Sequence, residues 1–100
     1  MSAGLKGEGA VWIAGSAPRA RFRCRVKIRS TASDVPCEVV CMGENVTVTF
    51  KDPQFGVAPG QMAVFYAPEG STVGEVDEVL GGVWITEALH AGQAAGETKS

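Results

Sequence analysis

Between Arg19 and Arg29 the chain reads Arg-Ala-Arg-Phe-Arg-Cys-Arg-Val-Lys-Ile-Arg, with a cation at every odd position and Ala20, Phe22, Cys24, Val26 and Ile28 at the even ones. Strand side chains alternate between two faces, so this stretch holds one apolar face and one face of six like charges. Wound as a helix, the same residues scatter around the axis. The pattern therefore demands a strand with one face on a core and the other in water. Six of the nine Lys and Arg residues lie here, although the formal net charge is -2. Such a stripe attracts phosphate by Coulomb steering and counterion release, which makes a nucleic-acid backbone a natural partner. It equally suits an exposed strand kept soluble by its charges, or paired with acids on its neighbours. The residues leave both readings open.

A chain of 100 residues, 45% of them hydrophobic, forms one domain with one modest core and is too small for a complete multi-step enzyme. Its 13 glycines and five prolines punctuate short apolar runs, which favours many strands over a few helices. Residues 1–9 read as a flexible, glycine-rich lead-in and 87–100 as a flexible tail, leaving a barrel domain over 10–86. Within it, strands are expected at Ala10–Ala14, along the basic stretch, and at Cys37–Met42, Val46–Phe50, Met62–Tyr66 and Val79–Thr86. Gly43-Glu44-Asn45 suits a hairpin turn. Ala58-Pro59-Gly60-Gln61 suits a type II turn, because proline presets the first central dihedral and glycine accepts the positive one. Gly81-Gly82 marks a bulge or a close backbone approach. Strands this short avoid exposed edges by closing, so the expected fold class is all-β, a small six-stranded antiparallel barrel. No apolar run is long enough to cross a bilayer, and Met1-Ser2-Ala3-Gly4 opens no charged leader, so a soluble, cytoplasmic protein is expected.

The candidates for chemistry are few. Cys24, Cys37 and Cys41 cannot all pair within one chain, and reduced, partly buried thiols are the simplest reading. Cys37 and Cys41 share a strand face and suggest metal or a disulfide. His90 is the sole histidine, however, and a four-ligand zinc site lacks partners. A catalytic thiol needs a base to form thiolate, and nothing in the sequence positions His90 as one. Glu75, Asp77 and Glu78 read as a solvated acidic loop. Trp12, Trp84, Phe65 and Tyr66 offer either stacking surfaces for bases or ordinary packing.

The stretch from Pro53 to Tyr66, Pro-Gln-Phe-Gly-Val-Ala-Pro-Gly-Gln-Met-Ala-Val-Phe-Tyr, closely resembles the C-terminal barrel of the tRNA-specific 2-thiouridylases, an aminomethyltransferase-like β-barrel. Three further segments agree with it in order and spacing. Val11-Trp12-Ile13, with Pro18 after it, resembles the opening of that domain; Cys24 to Arg29 resembles its basic strand; Val79 to Ile85 resembles its closing strand. The resemblance implies a fold similar to the second domain of elongation factor Tu. It also implies an accessory role, RNA-contacting or structural, behind a catalytic domain that activates the wobble uridine of tRNA with ATP and inserts sulfur.

The glycine- and serine-rich pyrophosphate loop of that catalytic domain has no counterpart here, so the chain looks like an excised or free-standing barrel. No catalytic residue, metal ligand or cofactor site is carried over, and whether it acts as an enzyme is left open. The implied partners are tRNA, the catalytic domain and a sulfur-relay protein. The candidate RNA-binding residues, from the charged face of the basic strand, are Arg23, Arg25, Lys27 and Arg29, of which Lys27 and Arg29 match the family's pattern. The alternative is a barrel that packs on neighbouring domains or on the relay protein with little RNA contact. Two departures stand out: Ser30-Thr31 replaces an aromatic and basic pair after Lys-Ile-Arg, and Val83 replaces a third glycine.

Overall fold

A computed structural model describes residues 1–29, 34–68 and 78–90. Six strands make it up: β1 (Ser2–Trp12), β2 (Arg21–Lys27), β3 (Val35–Met42), β4 (Asn45–Gln54), β5 (Met62–Tyr66) and β6 (Val79–Leu89). All six pairings are antiparallel, and the ring β1-β4-β3-β2-β5-β6 closes on itself. Closure gives each strand two partners, which answers the edge problem that short strands pose. The all-β, six-stranded antiparallel barrel expected from the sequence is what forms. Among the described residues no helix is long and apolar enough to cross a membrane.

The core is filled by alternate residues of every strand. Val26 from β2, Val39 from β3, Val48 from β4, Phe65 from β5 and Ile85 from β6 meet Leu5 from β1 inside the ring. Burying each such side chain contributes about 1.5–3 kcal/mol. The alternation expected over Val46–Phe50 holds, with Val46, Val48 and Phe50 buried and Thr47 and Thr49 facing outward. Trp12 stacks on Phe65 with ring centroids 5.5 Å apart and meets Phe22 edge-on at 5.8 Å, so these rings serve packing.

The turns follow their residues. Gly60 has φ 92°, and the Gln61 N–H donates to the Ala58 carbonyl at 3.4 Å, as a type II turn requires. Gly43, with φ 65°, takes the first central position of the two-residue β3–β4 hairpin, whose flanking pair is Met42 and Asn45.

Three sequence expectations are corrected. The glycine-rich stretch 1–9 is strand, not lead-in, because β1 pairs with β4 and β6 from Ser2 onward. Its glycines are there for closeness: a Cβ on Gly4 would collide with the Val48 carbonyl, and one on Gly7 would lie 2.7 Å from the Val83 side chain. At the other end β6 continues through Glu87 and Ala88 to Leu89, whose buried side chain anchors it beyond the expected end at Thr86. The strand expected to stop at Phe50 runs on to Gln54, paired there with Ser2.

Gly81 supplies the close approach expected of the glycine pair, since a Cβ there would run into the Val11 carbonyl. A bulge beside that pair lies in β1, where two residues, Gly9 and Ala10, oppose the single Val83 between the pairs Glu8–Trp84 and Val11–Gly82. The position where Val83 departs from the family pattern is core. Ser30 and Thr31, Glu75 and Asp77, and the tail beyond His90 lie outside the described residues.

Candidate nucleic-acid interface

β2 realises the alternation that its sequence demands. Cys24, Val26 and the following Ile28 are buried, while Arg21, Arg23, Lys27 and Arg29 are exposed. The strand lies between β3 and β5, so its outward residues stand beside those of both neighbours. Arg21 is opposite Val40, Arg23 opposite Glu38 and Arg25 opposite Pro36 on β3. On the other side Arg25 is opposite Tyr66 and Lys27 opposite Val64 on β5.

The six cations of the stripe are not equivalent. Arg21 Nη1 donates to Glu38 Oε1 at 3.4 Å in an exposed ion pair, the kind that contributes little in water. Arg25 behaves otherwise. Its Nε donates to the Ala67 carbonyl at 2.8 Å and its Nη1 to Asp34 Oδ2 at 3.3 Å, and its side chain is only 12% exposed. Arg25 thereby ties the chain just past β5 to the chain just before β3. Expected among the RNA-contacting residues, Arg25 makes both of these contacts within the barrel. Arg23, Lys27 and Arg29 form no ion pair with a described residue, so their charges face solvent. Arg19 lies in the turn before β2, also exposed.

No described base stands beside the thiols to activate one as a catalytic nucleophile at neutral pH. Cys24 and Cys37 face each other inside the barrel, sharing a hydrogen bond across 3.7 Å between their sulfurs. That bond, with burial, pushes the Cys37 thiol far above the ordinary cysteine range. Burial, and then the proximity of Cys24, pushes Cys41 up as well. No group of three or more His, Cys, Asp or Glu side chains gathers at metal-binding distance among the described residues. His90 follows β6 in an exposed position.

Sequence reasoning missed a second surface. Val11, Ile13, Met62, Val79 and Trp84 are exposed together around Gly9, Gly81 and Gly82, forming an apolar groove of about 230 Å³. Trp84 is its largest member, 53% exposed. A signal for it existed: period two over Val83-Trp84-Ile85 puts the tryptophan on the opposite face from two β-branched residues destined for the core. Val64 lines this groove and also stands opposite Lys27, so the apolar surface borders the charged one along β5.

The profile of the aminomethyltransferase beta-barrel domain matches residues 2–85. The tRNA-specific 2-thiouridylase of Marinobacter nauticus is 42% identical over 78 residues, which cover 78% of this chain and 20% of that protein. The tRNA-specific 2-thiouridylase 1 of Aliarcobacter butzleri is 42% identical over 65 residues, 65% of this chain and 16% of the relative. A Francisella tularensis subsp. novicida enzyme of the same name is 48% identical over 56 residues, 55% and 16% respectively. The chain thus spans about a fifth or less of the length of these curated relatives.

Proposed function

The chain belongs to the aminomethyltransferase beta-barrel domain family, and on that footing we propose that it serves as the accessory C-terminal domain of a tRNA-specific 2-thiouridylase and contacts tRNA through Arg23, Lys27 and Arg29. The observation that carries this reading is the outward row of β2, where Arg23 and Lys27, with the exposed Arg29 two residues beyond the strand, have no ion-pair partner among the described residues. Arginine and lysine on phosphates fix position without reading bases, so the barrel orients tRNA and leaves sequence choice elsewhere. Arg25 keeps the strand in place for them.

In this reading the ATP-dependent activation and the sulfur insertion belong to the remaining four-fifths of such an enzyme. No residue here acts in either step. Burial, which pushes the Cys37 and Cys41 thiols up, keeps these two out of both steps. The work is cytoplasmic, where tRNA is modified.

A second reading is favoured by the apolar groove. Exposed apolar surface that gathers in one place marks an interaction site. Val11, Ile13, Met62 and Trp84 would then pack on the catalytic part of the enzyme, or on a sulfur-relay protein, with the RNA held elsewhere.

A salt titration separates the two. Fluorescence anisotropy of a labelled tRNA anticodon-arm fragment with the purified chain should show weak binding that falls steeply with salt. Three engaged phosphates give a log–log slope of about -2 to -3. Changing Lys27 and Arg29 together to alanine should flatten that slope by about one to two units while the fold persists, because both side chains point outward. Identical slopes for the two proteins would remove tRNA contact from β2.

A further inference from the structure

We propose that Cys24 and Cys37 are a disulfide-forming pair, a site of reversible oxidation by a small disulfide of the glutathione type. The pairing rests on the barrel's own geometry and is independent of the tRNA reading. In the β2–β3 ladder Cys24 stands directly opposite Cys37, and both side chains enter the core. The Cys41 N–H donates to the Ala20 carbonyl at 2.7 Å, so residues 20 and 41 are a hydrogen-bonded pair of the ladder. Counting by twos through the unbroken register gives the same status to Cys24 and Cys37. Opposed residues of that kind have Cα atoms about 5.5 Å apart, inside the window of about 4.4–6.8 Å that a disulfide tolerates. The sulfurs lie 3.7 Å apart. Cβ atoms of a hydrogen-bonded pair stand farther apart than the roughly 3.5–4.5 Å of a relaxed disulfide, so closing the bond draws the two strands together and leaves it strained and readily reduced.

The third thiol is out of reach. Cys41 is four residues from Cys37 on β3 and stands opposite Ala20, four residues from Cys24, so either separation is about 13 Å along the strands, beyond what a disulfide spans. The arrangement therefore specifies one bond out of three conceivable ones.

Cys24 and Cys37 are only 3% and 5% exposed, but both border a cavity of about 600 Å³ whose wall includes Arg25, Lys51 and Pro68. That cavity gives a small reagent a path to the sulfurs. One thiol of the pair, as thiolate, attacks a sulfur of oxidised glutathione; its S–S bond breaks and one glutathione leaves, taking up a proton. The other thiol then loses its proton and attacks the sulfur of the resulting mixed disulfide, expelling the second glutathione. Two protein thiols are oxidised and one glutathione disulfide is reduced to two thiols. Because thiolate is the attacking species and Cys37 holds its proton tightly, the exchange is slow at neutral pH and accelerates as pH rises.

The test is thiol counting by mass. The reduced chain is incubated with excess oxidised glutathione at mildly alkaline pH, then denatured and blocked with N-ethylmaleimide. Before oxidation three maleimides are expected, and afterwards one. Cleavage after glutamate places Cys24 and Cys37 on fragment 9–38 and Cys41 on fragment 39–44. The first fragment should be lighter by two hydrogens and unblocked, and the second should carry the maleimide. Cys41→Ala should oxidise like the parent, whereas Cys24→Ser and Cys37→Ser should each stop at a glutathione adduct. The same oxidation in concentrated urea should spread the bond over all three pairings. Three maleimides after oxidation, a bond to Cys41 in the folded chain, or the same mixture with and without urea would overturn the assignment.

Discussion

The barrel has two exteriors built on adjoining arcs of one ring, and they differ in what they ask of their surroundings. On β2 and β3 the outward rows carry Arg21, Arg23, Lys27 and Glu38, charges that water already satisfies. On β1, β5 and β6 the outward rows carry Val11, Met62, Val79 and Trp84, which water does not satisfy. Long cationic side chains need no partner to be stable at a surface, so a stripe of them acts at a distance and through salt-sensitive contacts. An apolar groove acts only in contact, by being covered. One barrel can therefore meet RNA with one arc and protein with the other, and the border between the two runs where Lys27 stands opposite Val64.

Within the charged arc, the division between Arg25 and its neighbours is the first thing to break. Arg25→Ala strands the Asp34 carboxylate and the Ala67 carbonyl, both held by a mostly covered guanidinium. A loss of about 2 kcal/mol is expected in urea unfolding, against less than about 0.5 kcal/mol for Lys27→Ala. Equal losses would mean that the stripe is uniform after all. On the apolar arc, Trp84→Ser removes a half-exposed ring and should cost about 1 kcal/mol. It should also weaken binding of a hydrophobic dye and leave the tRNA salt slope untouched. A changed slope would merge the two surfaces into one. Arg21→Ala, which breaks only the exposed pair with Glu38, should shift stability by no more than about 0.5 kcal/mol.

The sequence made one of these arcs visible and hid the other for physical reasons. Strict alternation in β2 and β4 forces both strand and facing, so Val26, Val46 and Val48 could be placed inside without knowing their neighbours. Glycine carries no such sign. Gly4 and Gly7 look like a flexible leader, yet they are required where β1 passes close to β4 and β6, a need that exists only after the ring has closed. The fate of Arg25 was equally hidden, because its partners are nine and 42 residues away in sequence and meet it through closure. The apolar arc escaped notice because β6 and the end of β1 are hydrophobic on both faces, and such runs do not say which side is inward. The opposition of Cys24 and Cys37 depends on the β2–β3 register, which spacing alone does not fix.

The division of labour between the two arcs is most directly tested by chemical-shift mapping on the ¹⁵N-labelled chain titrated with a tRNA anticodon-arm fragment at low salt. The expected result is a footprint along β2, centred on Arg23, Lys27 and Arg29, that fades as salt is raised, with the amides around Trp84 and Met62 unmoved. A footprint centred on Trp84 and Met62, with β2 silent, would contradict the account.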